Sequence, residues 1–375
     1  MTDWSALVRP SLVGIAPYDP GASLEELRAE HGLDGIVKLN WNEGLQGPFP
    51  GVVEEVVAEL ENAWMYPEQA YSDFRDAVAA WVGTERRRVV PGHGIQSLIA
   101  AVAHAFVDPG DAVVVPTPTY GLYGQVCAAA GAHVERVRAH GLRHDLEAVA
   151  VAARRTEARL VWICDPNNPT GALLERAEWD AFLDALPARC AVVVDEAYVE
   201  YVAPERRVRR EEDVEAGRPV VLLRTFSKIF GLAGLRLGYA IAHESLARFL
   251  DVVQEPFNVN RAALAAGRAS LARSEIVDRR RRENAYARQL LAARLREGGS
   301  SPAPSEANFV LADVGVDDVA VYERLLRRGL LVRPGSEFGL DGTVRITVAS
   351  EPLMERVAAE LALAREELPA AGAPR

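Results

Sequence analysis

Of the 42 basic residues in this chain, all but two are arginine, and the exceptions are Lys38 and Lys228. Lys228 closes the run PVVLLRTFSK, beside Thr225 and Ser227. A lysine can shed its proton and add to a carbonyl carbon as a Schiff base, whereas an arginine stays charged. Lys228 is therefore either a nucleophilic amine or a surface lysine kept by chance. Asp195 ends another apolar run, CAVVVD. A carboxylate there is costly unless it meets a cation or a strong donor, so it is either a capping or salt-bridged acid or the partner of a protonated ring nitrogen. Gly92-His93-Gly94 opens a helical segment whose first amides could cradle a phosphate, although glycine before a helix is also ordinary punctuation. Arg236 could add a two-pronged phosphate contact or be one more arginine. Tyr120 could stack on an aromatic ring or fill a core, and Asn168 and Tyr198 could donate to a phenolate oxygen.

Taken together, these groups narrow to one chemistry. A Schiff-base lysine, an acid for a pyridinium nitrogen, donors for a ring oxygen, an aromatic stacker and a phosphate cup compose a site for pyridoxal 5'-phosphate.

The elements that must hold them can be read from the apolar pattern. Short β-branched runs occur at 112–116, 159–164, 190–195 and 219–223, with a fifth at 235–242, and helical or polar material separates them. Such runs predict a mostly parallel sheet covered on both faces, an α/β fold. Ligands bind outside the carboxyl ends of such strands, where Pro116–Tyr120, Asp165–Gly171, Asp195–Tyr198 and Arg224–Lys228 fall. Upstream, Ser23 is the expected cap of a helix carrying Leu24, Leu27 and His31 on one face, and Val53, Val56, Val57 and Leu60 predict another. A helix over 72–82 is expected to be capped by Ser72 and closed by Gly83. Ile95, Leu98, Ile99, Val102 and Phe106 form the stripe of the helix after Gly94. From about residue 262 a long arginine-rich helical stretch leads to the alternating segments NFVLADV and TVRITVA and a closing helix. The expected organisation is an N-terminal arm (1–40) joining a smaller α+β domain (262–375), and a large domain over 41–261.

Composition excludes other classes. At 375 residues, 49% hydrophobic and 25% charged, the chain reads as an ordinary globular protein with a sizeable core. A net charge of −11 argues against nucleic acid as a partner, because attraction to phosphates supplies most non-specific affinity. The 279–282 arginine run is read as a solvated helix face beside Glu275 and Glu283. No run of about 20 apolar residues predicts a membrane span, no metal site is expected, and the N-terminus lacks a signal-peptide pattern. Cys127, Cys164 and Cys190 sit in apolar stretches as buried thiols, and the cytoplasm is the expected compartment. No G-x-G-x-x-G motif supports a nicotinamide dehydrogenase.

The segments RPSLVGIAPYDPG, KLNWNEGLQGPFP, PTPTY, DPNNPTG, DEAYVEY, RTFSKIFGLAGLRLGY, LLVRPG and VRITV, in this order, resemble the fold-type I pyridoxal-phosphate-dependent aminotransferases, and within them the histidinol-phosphate aminotransferase branch. The resemblance covers essentially the whole chain. It implies that Lys228 is the Schiff-base lysine and general base, that Asp195 keeps the ring nitrogen protonated, that Asn168 and Tyr198 bond the ring oxygen and that Tyr120 stacks on the ring. It assigns the cofactor phosphate to the start of the helix at Gly94, Ile95 and Gln96, with Thr225, Ser227 and Arg236. Tyr66 matches a tyrosine that reaches the neighbouring subunit's cofactor, which implies a homodimer. Arg345 and Arg333 match anion-binding arginines for the substrate, and Tyr18, Asn42 and Asn168 match pocket residues. The reaction so implied is ping-pong transamination from L-histidinol phosphate to 2-oxoglutarate. An aromatic or secondary-metabolite amine would fit the same pocket, and a decarboxylase or cyclase would share the cofactor residues. The chain departs from the branch at Gly44-Leu45, at Ile95-Gln96-Ser97 and at Glu68-Gln69, with Trp41 and Trp64 adding bulk.

Overall fold

A computed structural model describes residues 4–17 and 21–369. Its strands in chain order are β1 (Val37–Lys38), β2 (Val89–Gly92), β3 (Ala112–Thr117), β4 (His133–Arg138), β5 (Leu160–Cys164), β6 (Ala191–Asp195), β7 (Val220–Thr225) and β8 (Gly238–Ala242), followed by β9 (Ser301–Pro302), β10 (Phe309–Asp313), β11 (Leu330–Leu331), β12 (Arg333–Pro334) and β13 (Thr343–Thr347). Strands β2 to β8 form one seven-stranded sheet in the order β2-β8-β7-β6-β5-β3-β4. β3, β4, β5, β6 and β7 pair in parallel, and β8 runs antiparallel to β7 and β2. The mostly parallel α/β sheet read from the apolar runs is thus the one observed.

Two strands had no counterpart in the apolar runs, and both lie at the edges. β2 is four residues long and contains Pro91, and β4 reads HVERVR. Edge strands are protected from pairing with other chains by shortness, proline and charge, which are the properties that remove the apolar signal. The central strands β5, β6 and β7 are buried along their whole length.

Register decides where the site falls. Cys164 pairs with Asp195 and Asp195 with Leu223 across the parallel ladder, while Thr225 and Gly92 both pair with Gly238. The ends of β5, β6 and β7 therefore sit side by side with the turn into the helix Gly94–Phe106. That helix buries Ile95, Leu98, Ile99 and Val102 against the sheet.

Local capping follows the sequence with one correction. Ser23 and Glu26 form a reciprocal capping box on the helix Leu24–His31. In the helix Ser72–Val82, Ser72 is the first helical residue and not the cap. Tyr71 occupies the cap position in the left-handed region, and the Glu68 carboxylate accepts the Ser72 amide at 2.7 Å. Gly83 closes that helix at φ +80. The helix Val52–Leu60 buries Val52, but Val53, Val57 and Leu60 face outward from this chain.

A second hydrophobic cluster gathers Leu291, Leu325, Val344, Ile346, Met354 and Leu361 together with Leu39. Its sheet has the order β12-β13-β10-β9, and the N-terminal strand β1 pairs in parallel with β11. Leu27 packs on Leu326 and Leu331. The helix Arg261–Leu271 contributes Ala263 and Ala266 to the cluster of the large sheet. All three cysteines are buried and free. Among the described residues no helix is long and apolar enough to cross a membrane, and no cluster of ligands could hold a metal.

Candidate active site

The floor of the site is the end of β6. Asp195 is buried, and its carboxylate accepts the Tyr123 hydroxyl at 2.6 Å and the Ala197 amide at 3.0 Å. Burial pushes the Asp195 carboxyl up to about 6, against the pull of those two donors and of the Lys228 charge. Tyr123 is held by stacking on Trp162, with ring centroids 5.0 Å apart and planes 5° from parallel. Tyr120 meets the same tyrosine edge-on, and its hydroxyl accepts from Gln96 at 2.9 Å.

Lys228 follows β7 and points into the space beside Tyr198, its Nζ 5.6 Å from the centre of that ring. Its Nζ donates to the Trp41 carbonyl at 3.0 Å. Burial lowers the ammonium to about 8, and the Arg345 charge pushes in the same direction. At pH 7 an amine with that pKa is roughly one-tenth neutral, against well under a thousandth for an exposed lysine.

The segment carrying Trp41 is packed too closely to drift. A Cβ on Gly44 would lie 2.0 Å from the Lys228 carbonyl oxygen, so only glycine allows this approach. Lys38 pairs with Glu43 at 2.7 Å and lies over the Trp41 ring. Asn42, at φ +56, donates from its side chain to the Tyr198 hydroxyl at 3.1 Å and from its backbone to Thr347 at 3.1 Å.

A cup of donors lies at the start of the helix Gly94–Phe106, which no side chain caps. Thr225 and Ser227 are buried beside it and bonded to each other at 3.0 Å. Arg236, in the left-handed region at φ +54, donates to the Gln96 side chain at 3.3 Å. A Cβ on Gly94 would come within 2.6 Å of the Arg236 guanidinium, and one on Gly238 within 3.1 Å of the Ile95 amide. The helix dipole, its free amides and one arginine make this cup locally positive.

A second cationic group adjoins Asn168. Arg345 of β13 is buried, with Phe309 and Phe338 at 5.4 and 5.1 Å, and it donates to the Asn168 side chain and the Asn40 carbonyl. Arg333 sits directly across the ladder from Arg345 and is ion-paired with Glu337.

The structure therefore brings together Lys228, Asp195, Tyr198, Asn168, Asn42 and Arg345, and joins Tyr120, Gln96 and Arg236 in a second bonded set. Tyr66 stands apart in its own chain, 79% exposed and stacked on Phe257 at 4.9 Å. Tyr18 lies outside the described residues. Three contributors escaped the sequence reading. Tyr123 lies in a helical pattern that reads as core, Trp41 acts through its backbone carbonyl, and Arg210, in a run of arginines, is buried against Asp165 and Glu196.

The profile of the family described as aminotransferase class I and II matches residues 34–361. The chain is 37% identical to the histidinol-phosphate aminotransferase of Moorella thermoacetica over 343 residues, covering 91% of this chain and 89% of that one. It is 39% identical to the protein of the same name from Symbiobacterium thermophilum, covering 92% and 94%. Among solved structures, the histidinol-phosphate aminotransferase from Sinorhizobium meliloti in complex with pyridoxal-5'-phosphate superposes with a TM-score of 0.87 at 28% identity, covering 95% of this chain and 97% of that one.

Proposed function

This chain belongs to the aminotransferase class I and II family, and on that premise we propose that it moves the amino group of L-histidinol phosphate to 2-oxoglutarate with pyridoxal 5'-phosphate as cofactor. The observation that carries the reading is the convergence of Lys228, Asp195, Tyr198, Asn168 and Arg345 on one cleft at the strand ends. The residues fit the cofactor by their chemistry. A buried acid awaits a ring nitrogen, an amine with a lowered pKa stands ready for an aldehyde, and the uncapped helix start offers amides to a phosphate, with glycine at 94 letting the Arg236 guanidinium close in beside them.

When bound, pyridoxal 5'-phosphate supplies an electron sink for charge that develops at the substrate Cα. The chain's own residues do the rest. Lys228 Nζ, whose lowered pKa leaves more neutral amine than an exposed lysine has, would hold the cofactor by condensing with its aldehyde and releasing water, and once displaced by the substrate amine would take and return the substrate α-proton. Asp195 would pair with the ring nitrogen and favour its protonated form. Tyr198, itself bonded by Asn42, and Asn168 would hydrogen-bond the ring oxygen, and Tyr120 would stack on the ring. Gly94, Ile95, Gln96, Thr225, Ser227 and Arg236 hold the phosphate. Arg345, with Arg333 beside it, receives the anionic end of each substrate in turn.

A homodimer accompanies this reading. Val53, Val57, Leu60, Trp64 and Tyr66 are all exposed along one helix and the loop after it, an apolar face of the kind a second copy would cover. Sedimentation of the purified protein tests that point, and a monomer at micromolar concentration overturns it.

The activity itself is tested with a panel of amino donors and 2-oxoglutarate, read by mass spectrometry. Formation of glutamate and the matching oxo product from histidinol phosphate is the expected result. Carbon dioxide release or a cyclised product without glutamate overturns transamination. Preference for an aromatic amino acid overturns the donor while leaving the reaction standing.

A further inference from the structure

Asp195 and Glu196 are consecutive at the end of β6, so their side chains leave the sheet on opposite faces. Asp195 faces Tyr123. Glu196, fully buried, faces two arginines: its Oε1 is 3.1 Å from Arg210 Nη1 and its Oε2 is 2.9 Å from Arg224 Nε. The second prong of Arg210, Nη2, reaches Asp165 Oδ2 at 2.5 Å. Asp165 in turn accepts the Leu174 amide at 2.9 Å, which closes the loop that carries Asn168. The guanidinium of Arg210 lies 4.5 Å from the centre of the Trp179 ring, and only 1% of its surface is exposed. One buried fork thus joins the ends of β5 and β6 immediately behind the candidate site.

Burying carboxylates side by side is unfavourable unless cations neutralise them. Asp165, Asp195 and Glu196 lie at two adjacent strand ends, and the Glu196 charge acts on Asp195 against its ionisation. We propose that Arg210 is a positioning residue of the active site: by pairing with Asp165 and Glu196 together, it fixes the Asn168 loop and cancels the negative charge behind Asp195, leaving Asp195 free to pair with the cofactor ring. This rests on the pyridoxal-phosphate reading above. Arg224 cannot replace it, because that side chain is engaged with Glu196 and Glu211 and does not reach Asp165.

The groups facing Asp195 are the Tyr123 hydroxyl, the Ala197 amide, the Cys164 thiol, Tyr198 and Lys228, and the Glu196 charge acts on it from the other face. The test uses the cofactor-loaded protein and the pH midpoint at which its visible band changes. Loss of the Arg210 charge leaves more negative potential, which favours the protonated form, so Arg210→Gln is expected to raise the midpoint by about 0.5 pH units or more. Adding Glu196→Gln to that variant is expected to restore the midpoint. Arg210→Lys keeps the charge without the fork, and is expected to hold the midpoint while kcat falls severalfold.

A folded Arg210→Gln protein with wild-type midpoint and kcat overturns the proposal, as does a midpoint shift that Glu196→Gln fails to reverse. Should Arg210→Gln not fold, Glu196→Gln alone decides. Its midpoint is expected to fall, and an unmoved midpoint overturns the proposal. Absence of any visible band in the wild-type protein instead overturns the cofactor reading, so the two failures are distinct.

Discussion

The Tyr123 hydroxyl donates a 2.6 Å hydrogen bond to Asp195, and both groups are buried. A bond this short to a carboxylate in a dry setting is charge-assisted and worth about 1.5–3 kcal/mol. It holds down a pKa that burial otherwise raises. Tyr123→Phe keeps the stack on Trp162 and removes only the donor. The expected outcome is a fold intact by circular dichroism, a pH optimum displaced because Asp195 titrates higher, and kcat lowered on the order of tenfold. An unchanged pH–rate profile would show that the bond does not serve Asp195.

Asp195 itself predicts a conflict between stability and function. Without cofactor its carboxyl is raised from 3.8 to about 6, chiefly by burial. A raised carboxyl pKa means that the folded state prefers the proton. That contribution is complete below the unfolded value and is lost as pH rises through about 6. Near neutral pH the ionised group therefore opposes folding. Asp195→Asn is expected to stabilise the cofactor-free protein there by on the order of 1–3 kcal/mol, since its amide oxygen can accept from Ala197 and its NH2 can donate to Tyr123. The same change is expected to weaken cofactor binding severalfold. Denaturant titrations with and without cofactor check both signs, and a destabilised apoprotein would contradict the argument.

How much of this was legible beforehand depended on burial. β5, β6 and β7 are covered on both faces, so their sequences are near-continuous apolar runs, and Asp195 and Lys228 are conspicuous as the polar residues that follow. Lys228 was also marked by the scarcity of lysine. Tyr123 carried no such mark, because its position three residues after Tyr120 reads as ordinary helix core. Nothing in RRVRREED distinguishes Arg210 from the arginines around it, and only the fold turns it inward onto Asp165 and Glu196. Trp41 contributes a carbonyl, which any residue type possesses. Register and close backbone approach are set by tertiary packing, and single residue types do not report them.

Lys228 yields a prediction in pH. Its ammonium is lowered from 10.5 to about 8 by burial, with help from Arg345. Only the neutral amine adds to an aldehyde. Capture of pyridoxal 5'-phosphate by the cofactor-free protein, followed by the growth of visible absorbance, is therefore expected to accelerate as pH rises through about 8 and then level off. A midpoint near that of an exposed lysine would mean that the amine is not desolvated. Lys228→Ala is expected to develop no lysine-bound absorbance at any pH.

Gly44 stands where the resembling branch carries another residue, and its surroundings explain what it permits. An added Cβ would lie 2.0 Å from the Lys228 carbonyl oxygen and 3.1 Å from Gly231 Cα. Both neighbours are backbone and cannot swing aside, so Gly44→Ala must displace either the Trp41 segment or the Lys228 turn. A cost on the order of 1–3 kcal/mol is expected. Displacement of the Trp41 carbonyl would also release Lys228 Nζ, so the capture midpoint near 8 should move along with the melting temperature. A variant with wild-type stability and midpoint would show that this contact relaxes freely.

Arg345 offers the sharpest test of the substrate end. Its guanidinium lies near the rings of Phe309 and Phe338, and its two terminal nitrogens address the Asn168 side chain and the Asn40 carbonyl. A planar fork gripped in this way can present an edge to a carboxylate or phosphate, whereas a lysine offers a point charge and no flat face to the rings. Arg345→Lys preserves the charge and loses that geometry. KM for both the amino donor and the oxo acid is expected to rise by roughly tenfold or more, with the visible band of bound cofactor nearly unchanged. If, as proposed, one arginine serves both half-reactions of a ping-pong cycle, the two KM values should rise together. A rise confined to one substrate would assign the other's anion to Arg333, which faces the same side of the sheet directly across from Arg345.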